Sequence, residues 1–525
     1  MITVTKTEKY TDRKDVREKI QNFADTCKKF YNGELSIPEY KSISGGFGTY
    51  SERNHKTGML RLRVPAGILE IDNLKFIIDS IEKYNIEKIH FTTNQSVQLH
   101  NLKPEVIPQL MLEAFDSGIV TIGGGGDNPR NVLCSPLSGV EKGEFFDVSP
   151  YAKAVSDFLI DLIGKIKLPR KLKVGFSNSP ENIVHATYRD MGFVAKANGK
   201  FDLYTAGGLG VNPEFGVKTA EDIDPKDILY YVMTMVQIFI KYGNYENRSK
   251  ARTRYIPKTI GEEKYLSEFN RIFEELKNSE DLAFEIENTN ISKQGDNSIP
   301  KISRNVIEQK QEGLFAVKYH PPLGNPSIKV LKDLYNFLSS LEGIGIRIST
   351  KEELFVINLT AKETDKVIEI LNSDNANTEL QESVSCVGAI ICQQGLSDSS
   401  GLLQKIIQVD KEENFADGVL PKLCISGCQS SCAAHQTTII GFKGGKKKVD
   451  GVLTDAFDLF YGGNEIQGDE RFGEVLGTIP VNNIPEMFRK LGKEIQSQNS
   501  TFENWITDNK DKFMDIVKEY AIWNV

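Results

Sequence analysis

Two stretches of this chain read alike at one fixed separation. "HFTTNQSVQLHNL" ends at Leu102 and "RISTKEELFVINL" ends at Leu359; each is a Thr-containing turn followed by an alternating, strand-like tail. Carried upstream without a gap, the same separation sets "LRLRVPAGI", from Leu60, against "VKYHPPLGN", from Val317. Pro65 then meets Pro322, Gly67 meets Gly324 and Arg61 meets Lys318. Between these blocks, "NLKFIIDSIEKYN" and "SIKVLKDLYNFLSSL" carry helical apolar spacing, and "EVIPQLMLEAF" and "KETDKVIEILN" supply a second helix to each copy. The pattern predicts a mixed α/β (α+β) chain with two pseudo-symmetric halves. Each half is a small strand–helix–strand–helix subdomain followed by a larger segment. The larger segments begin after "GGGGDNPRN" and near "NTELQESVSC", and the polar stretch from Glu287 to Ser303 reads as a linker between the halves.

Composition removes several classes of function. The 525 residues allow several cores, and 39% hydrophobic with 26% charged residues is ordinary for a globular chain. A net charge of −8 argues against a nucleic-acid or anionic-membrane binder, so any positive charge that matters must be local. "MITVTKTEKYTDRKD" has no apolar core and does not read as a secretory signal. The nearly apolar run Ile228 to Ile240 is too short to span a bilayer and reads as a buried helix. A cytoplasmic protein is expected. "GGGG", Gly123 to Gly126, is not followed by Gly-Lys-Ser/Thr and is no phosphate loop; "GGKKK", Gly444 to Lys448, reads as a solvated turn.

In a reducing compartment, clustered cysteines are metal ligands or reactive thiols more often than disulfides. Cys386 and Cys392 have five residues between them, Cys428 and Cys432 have three, and thirty-five separate the pairs. Four thiolates at such spacing can hold a [4Fe–4S] cluster, a tetrahedral zinc, or serve as unrelated or catalytic thiols. Structural zinc sites use tighter pairs than Cys386 and Cys392 provide. Cys424 and Cys134 read as small buried residues, and Cys27 belongs to an N-terminal helix.

At these residues the chain resembles the sulfite and nitrite reductases that pair a [4Fe–4S] cluster with sirohaem. C-x5-C followed by G-C-x3-C looks like their signature, and "GMLRLRVPAGIL", "HFTTNQSVQLHNL", "NPRNVLCSPLSGV", "LPRKLKVGFSNSP", "GGLGVNP", "NRSKARTRY" and "FYGGNEIQG" look like that family's blocks, from about Gly46 to Glu494. The resemblance implies a three-lobed fold with two ferredoxin-like half-domains and two larger cofactor-binding domains. The boundaries expected are 1–122 for an N-terminal arm and the first half-domain, 123–300 for the first sirohaem- and substrate-binding domain, 301–375 for the second half-domain, and 376–525 for the domain of the cluster. It further implies sirohaem and a [4Fe–4S] cluster held by Cys386, Cys392, Cys428 and Cys432, with Cys432 also bridging to the sirohaem iron.

An oxyanion whose oxygens leave as water calls for fixed cations. The family's two arginines and Lys-x-Lys pair match Arg61, Arg130, Lys171 and Lys173. By motif, Thr92, Thr93, Gln98, His100 and Asn131 are candidate sirohaem contacts, with Arg252 and Arg254 beside them. One departure stands out: the family's turn usually carries arginine where this chain has Asn94, which puts the hold on one carboxylate in doubt. Gln429 and Ser430 likewise replace the usual Pro-Asn. Because Lys173 keeps a charge that nitrite-specific relatives tend to lack, the expected reaction is six-electron reduction of sulfite to sulfide. The alternative is ferredoxin-dependent reduction of nitrite to ammonia. A reading of another class is a non-catalytic iron–sulfur electron carrier or redox sensor. No dinucleotide fingerprint is present, so electrons are expected from a ferredoxin or a separate reductase subunit. Neither nucleic acid nor membrane is expected as a partner.

Overall fold

The computed structural model describes residues 10–286, 291–296, 298–449 and 451–522. The polar N-terminal stretch through Lys9, and residues 287–290 and 297 of the expected linker, lie outside the described residues. The chain divides into two compact units. One comprises Met1–Gly208, Pro213–Tyr319 and Pro326–Ser373; the other comprises Leu209–Asn212, His320–Asn325 and Asp374–Val525. All seven cysteines are free thiols.

The first unit holds both small subdomains. β1 (Thr49–Ser51), β2 (Gly58–Arg63), β3 (Lys88–Phe91) and β4 (Ser96–Leu102) form an antiparallel sheet in the order β1-β2-β4-β3. The helices Ile71–Tyr84 and Val106–Asp116 cover its apolar face. The first of these buries Leu74, Ile77, Ile78 and Ile81, the i, i+3, i+4, i+7 stripe visible in sequence. Full burial of such side chains contributes about 1.5–3 kcal/mol each. The helix stops at Asn85, whose left-handed φ of 51° suits asparagine.

The fold has further strands β5 (Leu133–Cys134), β6 (Val174–Ser177), β7 (Met191–Ala195), β8 (Phe201–Thr205) and β9 (Val217–Ile223). Next come β10 (Val306–Glu308), β11 (Phe315–Tyr319), β12 (Gly345–Ile348) and β13 (Leu354–Leu359). The second subdomain repeats the first, in the order β10-β11-β13-β12, with helices Ile328–Leu338 and Ala361–Leu371. The repeat extends to strained backbone. Ala66 and Leu323 share φ of 56°, and Gln95 with Glu352 and Asn101 with Asn358 also have positive φ. All three pairs lie at the separation read from the sequence. A main-chain conformation costly to non-glycine residues, kept at matching places, is strong evidence of duplication. The two small sheets share one core, and Ile68 bridges Arg347 between them.

The larger sheets repeat as well. In the first unit the order is β5-β6-β7-β8-β9. In the second unit, β14 (Val384–Ser385), β15 (Leu423–Ser426), β16 (Ile440–Val449), β17 (Val452–Tyr461) and β18 (Glu474–Pro480) run in the order β14-β15-β16-β17-β18. Both sheets begin with two parallel pairings and end with two antiparallel ones. Two glycines mark a shared close approach. A Cβ on Gly192 would lie 1.8 Å from the Ala186 carbonyl oxygen, and one on Gly441 would lie 1.9 Å from that of His435. "GGKKK" is not the turn its composition suggests. Gly444 to Lys448 continue β16, paired to Phe457 through Leu453 of β17, because register and cross-strand ion pairs such as Lys446 with Asp455 outweigh the low strand propensity of glycine and lysine.

Candidate active site

The sequence-predicted cations of the first half converge. β2 and β4 pair Arg61 with Gln98, and β3 and β4 pair His90 with Gln98, so these three side chains share one face of the sheet. His100, two residues beyond Gln98, shares that face too. It is a buried polar face opposite the apolar one that the helices cover. Arg61 Nη1 donates to the Gly124 carbonyl, and Arg130 Nη1 donates to the same oxygen at 2.6 Å while its Nη2 reaches Gly126 O at 2.8 Å. The glycine-rich loop therefore gathers both guanidinia. It is pinned by Asp127, whose carboxylate accepts from Arg170 at 2.9 Å and Arg248 at 2.6 Å; these partners hold its pKa below the usual range.

Lys171 and Lys173 arrive by register. Arg130 N donates to Leu172 O at 2.8 Å and Leu172 N to Asn128 O at 3.2 Å, making Pro129 and Leu172 a parallel bridge. Leu172 and Val174 point into the core, so Lys171 and Lys173 take the other side. Arg130, alternating with buried Pro129, faces that side too. These lysines sit immediately before β6 rather than within it.

Burial pulls the Arg130 guanidinium down to about 10, with Arg61 and Arg170 adding repulsion. It stays protonated at neutral pH, and an anion at this place would relieve the repulsion. Arg63 has a different task. Fully buried, it donates to Pro129 O at 3.1 Å and Arg130 O at 2.9 Å, holding the Arg130 segment in place.

The turn residues divide in the same way. Thr92 Oγ1 accepts from Asn94 N and Ser96 N at 3.3 and 3.2 Å, so it shapes the turn. Asn131 Nδ2 donates to the carbonyls of Val64, Asn94 and Gln95, while its Oδ1 and the Oδ1 of Asn94 are buried without a hydrogen-bond partner. Thr93 is half-buried beside them. Gln98 is buried, with Nε2 3.6 Å from Met59 Sδ. Arg252 is paired with Asp190 at 2.8 Å, and Asp190 also accepts from Lys173 N at 2.9 Å, tying this arginine to the lysine segment. Arg254 is buried, and its Nε and Nη1 have no hydrogen-bond partner. A carboxylated macrocycle needs such donors, and a buried, unneutralised guanidinium is a costly thing to keep otherwise. The residues present fit sirohaem on this count.

Sequence reasoning missed Asp190, Asp127 and Gln95. Gln95 donates to Cys134 O and Ile348 O and accepts from Cys134 N, sewing the first turn to the second subdomain. The first two carry no signal beyond being acidic residues beside glycine-rich or arginine-bearing blocks.

In the second unit the four expected cysteines lie on two loops bound to each other. Cys386 N donates to Ile425 O, and Leu396 N and Ser397 N donate to Gly427 O. Cys386 Sγ accepts from Gly427 N at 3.2 Å and lies 3.2 Å from Ser399 Oγ; Cys392 Sγ accepts from Gln394 N at 3.4 Å. Amide donors to sulfur are what a cluster thiolate requires. Burial pushes the Cys386 thiol up to about 12, with the Cys432 sulfur contributing, and raises Cys392 with contributions from Cys432 and Cys428. Cys386 thus senses Cys432, and Cys392 senses both Cys432 and Cys428. Among the described residues no three such side chains gather tightly enough for a single metal ion. The donor set fits a [4Fe–4S] cluster.

The first unit also holds a cavity of about 750 Å³, lined among others by Glu70, Asp147, Lys153, Lys310 and Arg347. None of the sequence-predicted site residues lines it, and its walls carry both signs of charge. No helix among the described residues is long and apolar enough to cross a membrane.

Comparison with known proteins gives the following. Residues 125–277 match the nitrite and sulphite reductase 4Fe-4S domain, and residues 50–114 match the nitrite/sulfite reductase ferredoxin-like half domain. A ferredoxin–nitrite reductase of Synechococcus elongatus is 25% identical over 82% of this chain and 85% of its own length. An assimilatory ferredoxin-dependent nitrite reductase of Haloferax mediterranei is 22% identical over 96% of this chain and 91% of its own length. The solved structure of the NirA protein of Mycobacterium tuberculosis shares the fold, with a TM-score of 0.75 at 22% identity, covering 95% of each chain.

Proposed function

Since this chain belongs to the sulfite and nitrite reductase family, whose cofactors are sirohaem and a [4Fe–4S] cluster, we propose that it catalyses the six-electron reduction of nitrite to ammonia with a ferredoxin as donor. The convergence of Arg61 and Arg130 on one carbonyl, beside Lys171 and Lys173, in a chain of net charge −8 is the observation that carries this reading. These four residues bind the anion, polarise its bonds to oxygen and, through the lysines, hold protons near it. Thr93, Gln98, Asn131, Arg252 and Arg254 would hold the sirohaem carboxylates; Thr92 and Asn131 also shape the turn. Cys386, Cys392, Cys428 and Cys432 would ligate the cluster, and Cys432 would couple it electronically to the sirohaem. When bound, the cofactor pair supplies single electrons and a metal able to hold the anion.

Relatives named as ferredoxin–nitrite reductases support nitrite. The charge of Lys173 favours sulfite, and that second reading stands on this residue. One charge discriminates poorly here, because Arg61, Arg63, Arg130 and Arg170 already set the local potential. Steady-state turnover with each anion, using reduced ferredoxin or a low-potential dye, decides: a higher kcat/KM for sulfite overturns the proposal. A visible spectrum lacking the intense sirohaem bands would favour a non-catalytic iron–sulfur protein instead.

A further inference from the structure

The duplicated subdomain contains its own control. Glu52 follows β1 and accepts from Asn101 N at 3.1 Å through Oε1. In the second copy the equivalent residue is Gln309, which follows β10 and accepts from Asn358 N at 2.7 Å through the same atom type. Both asparagines sit at positive φ. The backbone therefore needs an acceptor at this place, and a neutral amide meets that need. The first copy uses a carboxylate instead, and adds a histidine: His100 Nδ1 lies 2.9 Å from Glu52 Oε1, where the second copy has Ile357.

Glu52 Oε2 also accepts from Thr57 Oγ1 at 2.5 Å, which ties the turn between β1 and β2 but does not account for the histidine. Glu52 and His100 are both almost fully buried, and His100 Nε2 has no hydrogen-bond partner. A buried polar atom left bare asks for an explanation. Cross-strand pairing puts His100 one step along from Gln98 on the face that carries Arg61, so His100 and Arg61 are diagonal neighbours, at about 7–8 Å in such sheets. The charged and titratable groups around the pair are Arg61 on β2, Lys88 and His90 on β3, and Tyr31 from the N-terminal helix. Burial lowers the His100 pKa against the opposing pull of the Glu52 carboxylate, while His100, Thr57 and Asn101 lower that of Glu52 against its own burial. With Nδ1–H donated to Glu52, Nε2 is the basic nitrogen.

We propose that Glu52 and His100 deliver protons to the anion bound at Arg61, with His100 carrying the proton on Nε2 and Glu52 as a positioning residue that stabilises the imidazolium. The inference rests on the reading of Arg61 as an anion-binding residue. Nitrite reduction to ammonium consumes eight protons with six electrons, and two oxygens leave as water. In the step assigned here, the Nε2–H bond breaks and its proton passes through one water to a departing oxygen that already carries one proton taken from solvent, as an N–OH group. That oxygen leaves as water with the electrons of its broken bond to nitrogen, the reducing electrons come from the ferredoxin-class donor, and His100 regains a proton from solvent.

The test uses the holoenzyme with E52Q and H100Q. E52Q reproduces the Gln309 arrangement, which already folds in the second copy. Two quantities are read: the pH profile of kcat with nitrite, and the protons taken up when nitrite binds the oxidised enzyme, from calorimetry in two buffers of different ionisation enthalpy. Loss of the anion beside the imidazole is expected to move the alkaline limb in E52Q down by about 1–3 pH units. H100Q is expected to lower kcat by about 100-fold and to change the proton uptake. A wild-type pH profile and uptake in E52Q overturn the proposal, as does a loss of haem with an unchanged profile in the molecules that keep it. If the wild type neither binds nor reduces nitrite, the functional reading fails instead, and the two failures are told apart.

Discussion

Replacing Gly441 with alanine tests how tightly the cysteine loop is seated. The new Cβ would lie 1.9 Å from the His435 carbonyl oxygen and 2.7 Å from its carbon. Since Cβ atoms keep at least 3.0 Å from such atoms, the two segments must separate by roughly 1 Å. Ile440 and Phe442 on either side are fully buried, so β16 is fixed and the loop must give. That loop carries Cys432 three residues before His435. Overpacking of this kind costs about 1–3 kcal/mol, which in a unit of this size lowers Tm by roughly 3–9 °C. The displacement should also reduce iron and labile sulfide per chain. Gly192→Ala is the control: its Cβ meets the Ala186 oxygen at 1.8 Å, in the copy without the four candidate cluster cysteines. It should cost similar stability and spare the iron. Calorimetry and iron–sulfide analysis of both variants read the outcome. Full iron and an unchanged Tm in Gly441→Ala, or equal iron loss in Gly192→Ala, would refute the reasoning.

Other expectations follow from the same geometry. Arg63→Met leaves the buried carbonyls of Pro129 and Arg130 without these donors; it should cost about 1–3 kcal/mol in urea unfolding and raise KM for the anion. Arg254→Leu should lower the sirohaem content of purified protein, read from its visible bands, while leaving iron–sulfide content near normal. Burial, with Asp417 adding repulsion, pushes the Asp410 carboxyl up to about 6, above its ordinary 3.8. The folded state therefore favours the protonated acid, and stability is lost as pH rises from about 4 to 6. Asp410→Asn should raise stability by about 1–2 kcal/mol at pH 7 and change little at pH 4, in paired thermal melts.

The small subdomains were legible because their signals are local. The stripe from Leu74 to Ile81 and the alternation in β4 state their own secondary structure, and the conserved separation between the copies announces a duplication. Arg61, Arg130, Lys171 and Lys173 were found through motifs, and register explains why they meet. The second repeat, between the β5–β9 and β14–β18 sheets, was not read beyond the bare expectation of two larger segments. Its markers are main-chain contacts, such as those at Gly192 and Gly441, between residues of different type. Asp127 and Asp190 escaped for a related reason: their partners, Arg248 and Arg252, are distant in sequence. The lysine run of β16 misled because charge and glycine outvote strand propensity locally, while pairing with β17 decides the matter. Ranking sulfite over nitrite leaned on one lysine, and a potential set by four arginines is not readable from one residue.

The copy without the four candidate cluster cysteines bears on what sets the bend at Cys386. Ser135 there stands where Cys386 stands in the other sheet: Ser135 N donates to Phe176 O as Cys386 N does to Ile425 O, and Asn178 N donates to Ser135 Oγ at 3.3 Å as Gly427 N does to Cys386 Sγ. A hydroxyl there keeps the same bend and the same donor, so both are set by the polypeptide and do not depend on a sulfur at this place.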